Sequence, residues 1–163
     1  MRIGLVSDTH NDSGRLRRVL GRLRLESITT VLHAGDVANG QILRLFAGFD
    51  LWVARGNMDQ DPLLYRVSHE LFGAGHYRTS HTLSLNGASV ALIHSGTSDT
   101  ARAWIESEAY DYVVHGHTHQ PRDERIGRTR VINPGALAHP RGPYPRSFCI
   151  LNLATGDLSR IEV

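Results

Sequence analysis

The chain has 163 residues, 40% hydrophobic and 21% charged, which is long enough for one buried core and too apolar for an intrinsically disordered chain. Formal net charge is +2, and the 18 basic residues are all arginine, a dispersed set that gives no strong nucleic-acid footprint. A single cysteine, Cys149, excludes an intrachain disulfide framework.

No apolar run approaches the roughly 18 residues that span a bilayer, and no basic-then-apolar leader precedes the first strand. These features predict one cytoplasmic domain over residues 1–163. Ile3 to Val6 reads as a first buried strand. In Ser13 to Leu25, Leu16, Val19, Leu20 and Leu23 recur at helical spacing, and Arg15, Arg17, Arg18, Arg22 and Arg24 make the solvated face of an amphipathic helix. A strand over 30–34, a helix over about 39–47 and a strand over 51–55 follow. The stretch from there to Gly75 carries no readable period. Thr82 to Leu85 and Ser89 to Ile93 flank Asn86-Gly87, the dipeptide a type I′ turn favours, which predicts a hairpin. Ala101 to Glu108 reads as a helix and Tyr112 to His115 as a strand. Arg122 to Ile126 and Arg128 to Ile132 form a hairpin around Gly127, and Phe148 to Val163 another that turns at Thr155-Gly156-Asp157. An α/β start and a strand-rich second half predict an α/β (α+β layered) class, with two sheets packed face to face as a sandwich and helices outside.

Five polar clusters each follow an apolar run: Asp8-Thr9-His10, Gly35-Asp36, Gly56-Asn57, His94 and Gly116-His117-Thr118-His119. Together they offer seven oxygen and nitrogen metal donors (Asp8, His10, Asp36, Asn57, His94, His117 and His119), enough for two ions. They are expected to gather where the strands of one sheet end, the crevice in which open α/β sheets bind ligands. Carboxylate, imidazole and amide donors without thiolate suit Mn²⁺, Fe or Zn²⁺ and disfavour Fe–S clusters or a closed structural zinc site. In an extended segment the i and i+2 ligands of Asp8-Thr9-His10 and His117-Thr118-His119 would point to one side. Gly35 and Gly56 leave room for close approach. Taken singly, Asp8 or Asp36 fits a helix N-cap, Asn57 a turn and His94 a satisfied strand end. The ordered set is what points to a site.

With Ser7-Asp8-Thr9-His10, His33-Ala34-Gly35-Asp36, Arg55-Gly56-Asn57-Met58-Asp59, Ile93-His94-Ser95-Gly96, Gly116-His117-Thr118-His119 and Asn133-Pro134-Gly135, nearly the whole chain resembles the calcineurin-like metallophosphoesterases, specifically the small single-domain YfcE-type phosphodiesterases. The resemblance implies a β-sandwich flanked by helices. It also implies that Asp8, His10 and His119 hold one metal and Asn57, His94 and His117 the other, with Asp36 bridging. The activity implied is dinuclear phosphodiester hydrolysis by in-line attack of metal-bound hydroxide, with two ions roughly 3.5–4 Å apart. Mn²⁺ is the expected metal, with Ni²⁺, Zn²⁺ or Fe as alternatives. The expected partner is a small phosphate ester; neither membrane nor nucleic acid is expected, and a homo-oligomer is left open. Two other readings are a phosphomonoesterase and a non-catalytic metal-binding scaffold like the small retromer subunit of this fold. The complete donor set favours an enzyme over the scaffold.

Several positions depart from that family. Met58 stands where relatives carry His or Cys and supplies neither acid nor thiol, which predicts a preference for esters with acidic leaving groups such as aryl esters. Ser95 and Ala136 replace the usual Gly and Ser and are expected to reshape substrate contacts. Asn57 and Arg141 are candidate substrate-binding residues, with a rigid surface loop as the other reading of the segment around Arg141 and His139. His33 and His115 are candidate supports of the metal loops, or simple packing residues; His69, His76 and His81 are expected to be structural or surface residues.

Overall fold

Alternation along the strands decides the layering. The computed structural model describes residues 1–163. In one sheet, β1 (Arg2–Val6), β2 (Thr30–His33), β3 (Asp50–Ala54) and β4 (Tyr77–Arg78) run parallel, and β10 (Ser147–Asn152) and β11 (Leu158–Glu162) continue it antiparallel, in the order β11-β10-β1-β2-β3-β4. In the other, β6 (Ala88–Ser95), β7 (Tyr112–Gly116) and β9 (Thr129–Asn133) run parallel between antiparallel β5 (Ser80–Leu85) and β8 (Arg122–Ile126), in the order β5-β6-β7-β9-β8.

Successive side chains on a strand face opposite ways, so each central strand feeds two cores. Ile3, Leu5, Leu32, Val90, Leu92, Val114 and Cys149 meet between the sheets. Val6, Val31, Leu51 and Val53 face the other way, against α1 (Ser13–Leu25), α2 (Gly40–Arg44) and α3 (Leu63–Phe72). Ala91, Val113 and Val131 pack on Ile105 of α4 (Asp99–Glu106), outside the second sheet. The two-sheet sandwich flanked by helices is therefore as expected. Burial on both faces is why these strands read as short continuous apolar runs.

α1 matches its expected bounds and buries Leu16, Val19, Leu20 and Leu23. Its arginine face is solvated or paired locally: Arg15 with Asp12, Arg22 with Glu26, and Arg24 over the Phe49 ring. α2 is shorter than 39–47 because after Arg44 the backbone tightens into i→i−3 bonds from Leu45, Phe46 and Ala47. α3 occupies the stretch that gave no readable period, and β4 follows just beyond Gly75. Leu63, Tyr65 and Leu71 are exposed on α3, and Pro62 at its N-cap supplies no capping side chain. Asn86 and Gly87 both have positive φ, as a type I′ turn requires. Cys149 is fully buried, and burial pushes its thiol up to about 11. No helix is long and apolar enough to cross a membrane.

Candidate metal centre

Five strand ends converge on one rim. Asp8 and His10 follow β1, Asp36 follows β2 and Asn57 follows β3, whereas His94 lies one residue before the end of β6 and His117 and His119 follow β7. The rim thus belongs to both sheets, not to one as the sequence suggested: the parallel strands of the two sheets close their loops over the shared core between them.

All seven predicted donors meet there, in two adjoining groups. In the first, Asp8 Oδ1 lies 3.3 Å from His119 Nε2 and 3.9 Å from His10 Nε2, and the two imidazole nitrogens are 3.1 Å apart. In the second, Asn57 Oδ1 is 3.0 Å from His94 Nε2 and 3.1 Å from His117 Nδ1, with 3.2 Å between the two histidines. Asp36 joins them, its Oδ2 being 3.5 Å from both His10 Nε2 and His94 Nε2. One donor atom each from Asp8, His10, Asp36 and His119 fall within 4.8 Å of one another.

The surroundings aim lone pairs inward. His94 Nδ1 is 2.7 Å from the Ala34 carbonyl and His119 Nδ1 2.7 Å from the His139 carbonyl. A carbonyl only accepts, so in each neutral ring Nδ1 carries the proton and Nε2 presents a lone pair to the rim. His94 Nε2 and Asn57 Oδ1 then face each other as two acceptors. Asp8 Oδ2 accepts from the Ser7 hydroxyl at 2.6 Å and the His117 N–H at 3.2 Å, while buried Oδ1 has no aligned hydrogen-bond partner. Buried oxygens without a donor are rare in native proteins. A cation would satisfy both arrangements, so the residues fit divalent metal.

Charge follows the same plan. Burial pushes the Asp8 carboxyl up, but His119 and Ser7 outweigh it and hold the group below its ordinary value. Contact with Asp8 raises His119 against the opposing effect of burial. Burial lowers His10 and His117, keeping those rings neutral and available as ligands.

The backbone reaches this geometry differently from the extended pairs expected. Asp8, His10, Asp36, His117 and His119 all have φ between 39° and 67°, in the left-handed region that few non-glycine residues occupy. Such strain is stored at sites where surrounding structure enforces it. Gly56 is required for close approach: a Cβ there would collide with the Asp36 carboxylate and backbone nitrogen.

Asp59 is the support that sequence reasoning gave no role. Its Oδ2 accepts from the N–H of Asp36 at 3.2 Å and of Gly56 at 2.8 Å, and its Oδ1 from that of Ala38 at 2.8 Å. One buried carboxylate therefore ties the β2 loop to the β3 loop; its place in Gly-Asn-Met-Asp was the only signal. The Met58 N–H donates to Asp36 Oδ1 at 2.9 Å, turning Oδ2 toward both histidine groups. His33 supports the loops too. Burial pushes it down to about 3, Nδ1 accepts from the Gly35 N–H, and Nε2 lies 2.8 Å from Thr9 Oγ1. His115 is buried beside Gly116 and Asn133 and is hydrogen-bonded to none of the seven candidate metal-binding side chains. Ala136 is fully buried, so its methyl cannot reshape a substrate contact as expected. Ser95 is half-buried and bonded to Thr97. Exposed Arg141 donates its backbone N–H to the His119 carbonyl, and Met58 is 50% exposed beside the rim. His76 and His81 are structural, bonded to the β3 carbonyls of Leu51 and Val53.

Residues 1–156 match the model of the calcineurin-like phosphoesterase superfamily domain. The chain belongs to that superfamily. Among curated members, a phosphodiesterase of Methanocaldococcus jannaschii is 25% identical over 83% of this chain and 83% of its own. The solved structure of an archaeal phosphodiesterase superposes with a TM-score of 0.89 at 24% identity, covering 100% of both chains. The superfamily fold also recurs in Vps29 of Entamoeba histolytica complexed with zinc, with a TM-score of 0.66 and 20% identity over 100% of this chain and 98% of that one. Solved structures of this shape therefore include proteins named for phosphoester chemistry and proteins named for vacuolar protein sorting, and only the site can separate the two roles.

Proposed function

We propose that residues 1–163 form a single domain that hydrolyses phosphodiesters at a dinuclear metal site by in-line displacement. The observation that carries this reading is the position of Asp36, one carboxylate oxygen set equally between a group made of Asp8, His10 and His119 and a group made of Asn57, His94 and His117. Two divalent ions, with Mn²⁺ the first choice and Ni²⁺, Zn²⁺ or Fe as alternatives, would supply Lewis acidity and a water acidified at neutral pH.

The chain's own residues do the rest. Asp8 and Asp36 provide the anionic charge that holds cations. The backbone carbonyls of Ala34 and His139 orient the His94 and His119 rings. Asn57 and Arg141 flank the rim and are the residues proposed to hold phosphate oxygens; a guanidinium suits that geometry. Met58 donates only its backbone N–H and has no side-chain proton for a departing alkoxide, so the enzyme should favour leaving groups that are already acidic.

Hydrolysis of bis-p-nitrophenyl phosphate and p-nitrophenyl phosphate by stripped protein reloaded with Mn²⁺, beside Asp36→Asn, tests the reading. Metal-dependent turnover that collapses in the variant is expected, with the diester faster. Faster monoester turnover would make the protein a phosphomonoesterase, and a folded, metal-loaded protein silent on both would return it to the scaffold reading.

A further inference from the structure

The two sheets are unequal, six strands in one and five in the other. β5 lies over β3: its His81 Nε2 is 2.8 Å from the Val53 carbonyl, and the His81 ring stands edge-on to Trp52 at 5.5 Å. β4 continues the larger sheet one place beyond β3, and no strand of the other sheet covers it. The space above β4 is a hollow of about 380 Å³. Trp52 of β3, Arg78 of β4 and the Ala74-Gly75 loop make its floor, and Ser80 to Leu83 of β5 make its side wall. None of the seven metal donors lines it.

That wall is a free strand edge. The type I′ turn bonds Leu85 to Ala88. Bonded and non-bonded pairs alternate along an antiparallel ladder, so Leu83–Val90 and His81–Leu92 are bonded too. The N–H and C=O of Thr82 and Ser84 therefore point away from β6, along the open edge. The far side of β6 agrees: Ser89, opposite Ser84, turns its carbonyl toward β7, where it accepts from the Asp111 N–H at 2.9 Å. Proteins commonly guard such edges with charge or proline. β8 carries Arg122, Asp123, Glu124 and Arg125, and β11 carries Arg160 and Glu162. β5 reads Ser-His-Thr-Leu-Ser-Leu, with no Asp, Glu, Lys, Arg or Pro.

The hollow holds one cation and no counterion. Arg78 faces the inner side of the sheet, as its partner Ala54 does, and its guanidinium lies against Gly75. No acidic residue lines the hollow, and Arg78 is in no ion pair with a carboxylate. A second copy of the chain does not fit here through its own β5, because the two-fold that pairs the two strands would lay the other copy's β3 on β4.

We propose that the open edge of β5 is a docking site for an extended acidic peptide segment of another protein, which joins the five-stranded sheet as a further strand over β4. The segment is about five residues long. Its main chain pairs with Thr82 and Ser84, an acidic side chain meets Arg78, and an apolar one two residues along packs on Trp52 and Leu83. The site stands apart from the metal rim and does not depend on its chemistry.

A display library of random linear peptides, selected on the full-length protein, supplies the probe, and a fluorescein-labelled copy of the most enriched peptide is titrated by anisotropy. Peptides that alternate acidic and apolar residues should be enriched. Arg78→Glu should weaken the labelled peptide by about tenfold or more, and a second selection on that variant should yield basic peptides instead. Thr82→Pro removes an N–H that β6 does not use, so the hairpin should keep its ladder and a Tm close to the wild type while binding is lost. Arg17→Ala, on the solvated face of α1, should leave binding unchanged. Amide exchange should find Thr82 and Ser84 unprotected in the free protein and protected in the complex. No enrichment over a blank support, binding indifferent to both β4 and β5 variants, or Thr82 and Ser84 amides left unprotected in the complex would overturn the proposal. So would a dimer of the free protein that Thr82→Pro dissociates, since a second copy would then occupy the edge.

Discussion

The two sheets contribute unlike chemistry to one rim. The β1–β4 sheet brings every oxygen donor (Asp8, Asp36 and Asn57) together with His10, whereas the β5–β9 sheet brings only imidazoles, His94, His117 and His119. The two carboxylates take bonds from their own sheet, Asp8 from Ser7 and Asp36 from Met58. The imidazoles are held partly from across the sandwich: His94 donates to Ala34 of the opposite sheet, and the His117 N–H donates to Asp8. A site of this kind exists only while the two sheets stay in register, so the core between them is part of the chemistry.

The most damaging break should be at the shared donor. Asp36→Asn removes one negative charge from between the two groups while keeping its shape, and activity should fall by more than the roughly 10–100-fold that losing a supporting residue costs. Bound metal measured by plasma emission should fall with it. Metal content and rate both unchanged would mean that Asp36 does not join the groups. Gly56→Ala comes next, because its new Cβ must displace the Asp36 carboxylate. Overpacking of this sort destabilises by about 1–3 kcal/mol, visible as a lower Tm along with lost activity.

Asp59→Ala separates support from ligation. It strips the acceptor from three N–H groups on the β2 and β3 loops and should weaken metal binding by roughly 10–100-fold without altering any ligand. Asp59→Asn, which retains one carbonyl oxygen, should fall between that variant and the wild type. Equal metal affinity in all three proteins would show that the loops hold their positions without this carboxylate.

These supports mark where the sequence stopped being legible. Strand and helix order was readable because α1 has one clean apolar stripe and the central strands are short apolar runs. α3 escaped because it is only 10 residues long and Pro62 at its N-cap supplies no capping side chain to mark its start. The seven candidate donors were readable as residue types at the ends of apolar runs. Their convergence through left-handed backbone at Asp8, His10, Asp36, His117 and His119 was not, since φ at a non-glycine residue is imposed by the surrounding loops and leaves no mark of its own. Nor could local spacing show that β6 and β7 belong to a different sheet from β1–β3: that assignment depends on pairing between residues far apart in the chain.

The smallest expected effect lies at the opposite end of the second sheet, and it sharpens the comparison by leaving the rim alone. Asp111, just before β7, accepts from the Ser89 N–H at 2.8 Å and the Ser89 hydroxyl at 2.9 Å. The Ser89 backbone bond is the main cause that holds the Asp111 carboxyl below its ordinary value, with the Ser89 hydroxyl next and Arg128 adding to it. A carboxyl depressed in the folded state stabilises fully above its unfolded value of 3.8, and that contribution is lost as pH falls through the lower folded value. Asp111→Ala should therefore lower stability at neutral pH by about 1 kcal/mol. The difference from the wild type should shrink as the pH is taken below 4 in urea unfolding, while Mn²⁺ binding and diester hydrolysis at neutral pH stay as they were. A loss of activity from this variant would mean that strain at the far end of β6 and β7 reaches His94 and His117, and that the second sheet acts as a lever on the site rather than as a fixed mount.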